Sequence, residues 1–270
     1  MEDVPPRFEW KRIPMPQKTI SFVVPVFNEE ETAVELHRRV CAEMENEPYE
    51  FEIIFVDDGS GDGTFNELYR LRRADTRVKA VSFSRNFGHQ AAITAGLDYA
   101  SGDAVITMDG DLQHPPEEVP AMLREWENGF EIVTMVREKD PDAGMLKNMT
   151  ASFFYFLINR IGNVDVQKNA ADFRLMDGRV VNAMRGIEER SRFMRGLISW
   201  VGFRKTSLTY TAGPRFAGQT KYNMRKMIAF ALDAVVSFSA FPLRLSAYLG
   251  LMAILLGLLF LAHVFYAKIT

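Results

Sequence analysis

Four short apolar runs, rich in β-branched and aromatic residues, recur through the first 140 residues: ISFVVPVF (20–27), FEIIFVDD (51–58), VKAVSF (78–83) and AVITMD (104–109). Each is followed by a segment with helical patterning, over Glu30–Met44, Thr64–Arg73, Gln90–Tyr99 and Pro116–Asn128. The last opens Pro-Pro-Glu-Glu, a helix-start signal. Strands that alternate with helices in this way pair in parallel, with the helices packed on both faces of the sheet. The expected fold is therefore α/β, Rossmann-like, with a mostly parallel sheet. Ligands of such sheets bind at the carboxyl ends of the strands.

Those ends are polar. The four runs close in Asn28-Glu29, Asp57-Asp58-Gly59-Ser60, Ser84-Arg85-Asn86 and Asp109-Gly110-Asp111. Acidic residues and glycine after a strand are ordinary turn formers, but four such ends on one edge make a binding site the better reading. Asp109 and Asp111, one residue apart, with Gln113 two further on, offer an all-oxygen donor set suited to Mg²⁺ or Mn²⁺. Ions of this kind are commonly held by one or two carboxylates while substrate phosphates complete the shell.

Composition bounds the rest. With 270 residues, 47% of them hydrophobic, the chain can bury a sizeable core. Its single cysteine, Cys41, forms no internal disulfide and suits a reducing compartment. Residues 1–17 are charged and proline-rich, without the apolar stretch of a secretory signal, and read as a loose arm. The net charge of −3 hides an asymmetry: Arg174–Lys226 carries 12 Lys/Arg against 3 Asp/Glu, a local +9 that leaves −12 elsewhere.

From Leu245 to Ala267 the chain runs 23 residues without Asp, Glu, Lys or Arg. As a helix this spans about 35 Å, enough for one bilayer crossing. A buried core helix of that length would seldom lack a charged face. Lys221, Arg225, Lys226 and Arg244 precede the span, so the main domain is expected on the cytoplasmic side of the cell membrane. The intervening apolar segment, interrupted by Asp233 and Pro242, reads as helices lying in the membrane interface over 221–244. Only three residues follow the span, which leaves room for further membrane segments beyond residue 270.

Two phosphate-binding patterns fail on inspection. GSGDGT (59–64) has Thr64 at the sixth position of GxGxxG, and GPRFAGQT (213–220) has Gln219 where a phosphate loop needs lysine. His89 and His114 stand too far from other ligands in sequence for a zinc motif.

Seven segments together carry a resemblance: PVFNEEE, VDDGSGDGT, SRNFGHQAAITAGLDYASGD, DGDLQHPPEE, ADFRLM, ERSRFMRGLISWVGF and RFAGQTKY. In this order they are similar to the family 2 GT-A glycosyltransferases that act on polyprenyl phosphates, over residues 18–267. The resemblance implies a catalytic domain over 18–220. It makes Asp109-Gly110-Asp111 the family's DxD motif, with Asp109, Asp111 and Gln113 meeting the metal and the diphosphate. It implies that Pro25, Phe27, Glu29, Val56 and Asp58 line the nucleotide pocket. Arg137, Arg215 and Lys221 match the basic residues around the phosphates, and Asp172 matches an acidic position close to the reaction centre. Two positions depart from the family pattern: Phe27 stands where tyrosine is frequent, and Ala212 leaves the segment ahead of RFAG without its usual arginine.

The chemistry follows on its own terms. A sugar leaving a nucleoside diphosphate deposits charge on the bridging oxygen, which a divalent ion and basic side chains stabilise. A lipid phosphate, with a second pKa of about 6, is largely a dianion at neutral pH and needs little help from a general base. The expected activity is inverting transfer of a hexose, UDP-glucose being the first choice of donor, to a polyprenyl phosphate. GDP-mannose and UDP-GlcNAc or another aminosugar nucleotide are the alternative donors. A processive polysaccharide synthase would need a QxxRW motif, which the sequence lacks. A catalytically silent nucleotide-binding scaffold for a lipid-sugar flippase is the rival of another class. The membrane is an expected partner, a second copy of the chain and a flippase are conceivable ones, and nucleic acid is not expected.

Overall fold

A computed structural model describes residues 17–138, 170–187, 194–211 and 241–269. The first four strands are β1 (Thr19–Val26), β2 (Glu50–Asp57), β3 (Val78–Ser82) and β4 (Ala104–Thr107). Between them lie α1 (Ala33–Met44), α2 (Thr64–Ala74) and α3 (His89–Tyr99). A single 3₁₀ turn at Pro116–Glu118 leads into α4 (Val119–Glu127). Each sequence-predicted strand and helix is present. The largest shift is at α1, which opens at Ala33 and not Glu30 because the amides of Thr32 and Ala33 both bond the Glu29 carbonyl in a preceding turn.

Beyond α4 come β5 (Ile132–Arg137), β6 (Ala170–Asp177), α5 (Gly178–Arg185), α6 (Met194–Trp200), β7 (Lys205–Tyr210) and α7 (Phe241–Ile269). Among the described residues the strands form one seven-stranded sheet in the order β3-β2-β1-β4-β6-β5-β7. Pairing is parallel throughout except at β6, which runs antiparallel to both β4 and β5. The expected mostly parallel α/β sheet is thus borne out, with one reversed strand that the alternation did not announce.

Alternation along the strands builds a core on each face. Ile20, Phe22, Val24 and Val26 of β1 pack with Leu36 and Val40 of α1 and Met122 of α4. Val23 of β1 and Ile54 and Val56 of β2 point the other way, toward Ile93 and Leu97 of α3 and Val180 of α5. Burial on both faces explains why these strands read as nearly continuous apolar runs.

The seating of α3 is close. A Cβ on Gly96 would lie 2.2 Å from Val23 Cγ1, so the absent side chain is what lets the helix rest on β1. That contact fixes the height at which the N-terminus of α3, and with it His89, meets the edge of the sheet.

The C-terminal helix α7 contains the predicted span. Its described side chains are all exposed, and Ser246–Ile269 is long and apolar enough to cross a membrane. It begins four residues before the predicted start, with Pro242 in its first turn, where the missing amide costs no helical bond. Residues 221–240 of the expected interfacial segment and the N-terminal arm over 1–16 lie outside the described residues.

Gly96→Ala should lower stability by about 1–3 kcal/mol, because overpacking against Val23 outweighs the gain in helix propensity of about 1 kcal/mol. The check is a thermal unfolding cycle in detergent with Val23→Ala, in which the paired variant should lose less than the sum of the singles.

Candidate active site

Parallel pairing brings the polar strand ends to one edge. Val26 lies opposite Asp57, Asp57 opposite Ser82, and Val23 opposite Thr107, so the loops after β1, β2, β3 and β4 all emerge on the same side. The reversed strand β6 adds its beginning to that edge. Thr107 pairs with Arg174, and the Thr107 hydroxyl donates to the Asp172 carbonyl at 2.8 Å. Strand β5 runs with β4, which places Arg137 at its end on the same side, exposed.

The loops hold one another through side chain to backbone bonds. Asn28, at φ 53°, accepts from the Gly61 amide at 2.9 Å, while its own amide donates to Ser60 Oγ. Glu30 accepts from the Gly63 amide, and the Glu29 amide donates to Thr64 Oγ1. Asp57 accepts from the Ser60 amide and the Ser82 hydroxyl. Asp58, 4% exposed, accepts from the amides of Phe87 at 2.7 Å and Gly88 at 2.9 Å. Asp58 therefore grips the loop that delivers His89, the first residue of α3.

The turn after β4 is built tightly. Gly110 sits where a Cβ would meet Val26 Cγ1 at 2.7 Å and the Pro25 carbonyl at 3.3 Å. Leu112 adopts φ 63°, an uncommon conformation for a branched apolar residue, and its side chain is buried in the core. That reversal lets the Gln113 amide donate to Asp111 Oδ1 at 3.1 Å and turns His114 back beneath Asp109. His114 is 5% exposed and stacks on Phe173 at 5.2 Å, with Tyr210 edge-on at 5.9 Å. Its Nδ1 accepts from the Asp109 amide at 2.9 Å, so the proton of the neutral ring resides on Nε2, 3.6 Å from Asp109 Oδ2.

Asp109 Oδ1 is buried and has no hydrogen-bond partner. His89 Nε2 lies 3.4 Å from it, without hydrogen-bond alignment, and 3.6 Å from Asp172 Oδ2. The other Asp172 oxygen accepts from Arg174 Nη2 at 2.9 Å, a pair in which Arg174 is 3% exposed. An unpartnered, buried carboxylate oxygen is costly. Its presence on a turn that also carries Asp111 and Gln113 fits a divalent cation.

The predicted residues divide three ways. Asp109, Asp111, Gln113 and Asp172 come together around the β4 turn, with Glu29, Asp58 and Arg137 on the same edge. Pro25 and Val56 are buried beneath that edge, and Phe27 is partly exposed beside it. Arg215 and Lys221 lie outside the described residues.

Sequence reasoning set aside His89 and His114, which the structure brings to either oxygen of Asp109. Their separation of 25 residues hid this, although His89 follows the polar end of β3 and could have been placed by the same strand-end rule that found Asp109.

The glycosyl transferase family 2 model matches residues 21–184, a stretch that contains the first four strands, the Asp109 turn and Asp172. The chain belongs to this family. A bactoprenol glucosyl transferase of Shigella phage SfV is 44% identical over 232 residues, covering 86% of this chain and 76% of that relative. A prophage bactoprenol glucosyl transferase homolog of Escherichia coli strain K12 matches with the same identity and coverage. Among solved structures, the glucosyl-3-phosphoglycerate synthase of Mycobacterium tuberculosis, in complex with Mn²⁺, UDP-glucose and phosphoglyceric acid, aligns with a TM-score of 0.53 and 18% identity. That alignment covers 81% of this chain and 77% of the other. The mannosyl-3-phosphoglycerate synthase of Rubrobacter xylanophilus aligns with a TM-score of 0.53, 17% identity and coverage of 85% and 75%. These two likenesses establish the GT-A fold of this family 2 glycosyltransferase.

His114→Phe keeps the aromatic stack but leaves the buried Asp109 amide without an acceptor. The variant should lose about 1–3 kcal/mol of unfolding free energy, measurable by thermal or denaturant unfolding. Wild-type stability would mean that the turn is held by other contacts.

Proposed function

We propose that this glycosyltransferase moves a hexose from a nucleotide sugar, UDP-glucose first among the candidates, to a polyprenyl phosphate at the cytoplasmic face of the membrane, with inversion. The observation that carries the reading is the Asp109 turn, whose unpartnered carboxylate oxygen faces His89 beside Asp172. Relatives at 44% identity that are named bactoprenol glucosyl transferases support the acceptor class. The exposed apolar helix over Ser246–Ile269 supports membrane association, since an acceptor confined to the bilayer is met most often by a site held just above it.

In this reading Asp109, Asp111 and Gln113 would hold Mg²⁺ or Mn²⁺. The bound ion supplies charge stabilisation for the departing diphosphate. Arg137, exposed at the end of β5, and Arg215 and Lys221 from the segment before the membrane helix add positive charge around the same phosphates. Their contribution grows as the leaving group forms, so it falls on turnover more than on ground-state affinity. Asp58 and Glu29 shape the nucleotide side of the edge, above the packed floor of Pro25 and Val56 and next to Phe27. Asp172, locked by Arg174, orients groups on the acceptor side or accepts a proton there.

The deciding experiment measures nucleotide release by the detergent-solubilised chain from UDP-glucose, UDP-GlcNAc and GDP-mannose, each with and without polyprenyl phosphate. Release from UDP-glucose that depends on the lipid is the expected result. Binding without release from any donor would instead favour a silent scaffold. In the same assay Asp109→Asn and Asp111→Asn should unfold like the parent yet lose at least about 10²–10³-fold in turnover. Near-normal rates with Mg²⁺ or Mn²⁺ would remove the metal assignment.

Arg215→Ala and Lys221→Ala should each lower kcat by about 10²–10³-fold with little change in stability. Unchanged kcat with a raised KM for the lipid alone would place both residues at the membrane surface.

A further inference from the structure

We propose that His89 is a nitrogen ligand to the divalent ion, bound through Nε2 alongside Asp109 Oδ1, and that it tilts the site toward Mn²⁺ over Mg²⁺. The inference rests on the metal-dependent reading above and adds to it a residue from a different loop, outside the DxD motif.

The first argument is the spacing. His89 Nε2 and Asp109 Oδ1 are 3.4 Å apart without the alignment of a hydrogen bond, and that oxygen is buried with no other partner. Two donor atoms that each lie about 2.1–2.2 Å from a shared ion, at an angle of about 105°, are about 3.4 Å from each other. The pair is therefore spaced as co-ligands, and a cation between them would satisfy the orphaned oxygen.

The second argument separates the two histidines near Asp109. His114 spends its Nδ1 lone pair on the Asp109 amide, so its Nε2 carries a proton and faces Oδ2 as a donor. It can orient the carboxylate but cannot ligate. An arrangement in which one oxygen is held by an N–H and the other is left for the ion is the usual division of labour around a ligating carboxylate. His89 approaches the oxygen that His114 leaves open.

The third argument is that His89 is placed by structure built for the purpose. Asp58 holds the amides of Phe87 and Gly88, Gly88 takes φ 100° to enter the helix, and Gly96 seats that helix against Val23. Three independent contacts thus set the position of the imidazole. On its other side Asp172 Oδ2 lies 3.6 Å from the same Nε2, and Arg174 holds the remaining Asp172 oxygen. The imidazole accordingly stands between the carboxylate of the metal turn and the carboxylate on β6.

An imidazole nitrogen changes which ion is preferred. Mg²⁺ favours oxygen donors and keeps its waters, whereas Mn²⁺ accepts a nitrogen ligand at less cost. Removing His89 should weaken Mn²⁺ binding by about tenfold or more and Mg²⁺ binding much less, narrowing the preference between them.

The test uses the full chain in detergent with UDP, after labelling histidine with ¹⁵N in the ring. Electron spin-echo spectroscopy of bound Mn²⁺ should reveal a directly coordinated ¹⁵N in the wild type, lost in His89→Ala and kept in His114→Phe. Titration calorimetry should show the larger loss for Mn²⁺ than for Mg²⁺ in His89→Ala, with UDP affinity in the absence of metal reporting that the variant is folded. A wild type that binds Mn²⁺ with UDP but gives no histidine coupling overturns the proposal while leaving the DxD reading in place. Coupling that survives in His89→Ala overturns it as well. A wild type that binds neither ion with UDP overturns both together.

Discussion

The site depends on the parallel pairing of β3, β2, β1 and β4. Parallel strands in register send every following loop to the same edge, so chemistry scattered over about 90 residues of sequence is gathered along one line. An antiparallel arrangement of the same strands would have placed alternate loops on opposite sides of the molecule. The one reversed strand, β6, delivers its beginning to that edge and so brings Asp172 level with the end of β4.

Loops gathered in this way must still be fixed, because their amides are outside the sheet ladder. Here the acidic and polar residues after the strands do that work for one another. Asp57, Asp58, Asn28 and Glu30 each accept backbone amides from their own or a neighbouring loop. The exception is Asp109, whose Oδ1 accepts nothing. In a cluster where the other carboxylates are satisfied internally, the unsatisfied one marks where an external positive charge belongs.

Close approach of backbone elements carries the remaining precision. Gly110 and Gly96 sit where a side chain would strike Val26 or Val23 of β1. The central strand thus sets the height of both the metal turn and the helix that bears His89. Leu112 accepts an unfavourable backbone conformation to return His114 under Asp109, a local cost that burial of its side chain and the aromatic stack on Phe173 offset.

By itself the sequence determined the strand and helix alternation, the polar edge, the DxD pair and the apolar helix. Each of these is a local pattern in which period, turn chemistry or length expresses the physics directly. It also carried Asp172 and Arg137, but only through resemblance, because nothing local distinguishes them from other polar residues at strand ends. What only the tertiary structure decided is which side chains share a site. The reversal of β6, the imidazoles on either side of Asp109, and the role of Asp58 in gripping the β3–α3 loop all depend on distances between segments 5 to 83 residues apart. Such distances are set by sheet order and helix seating, which many sequence patterns of the same period could satisfy and which only the packed core selects.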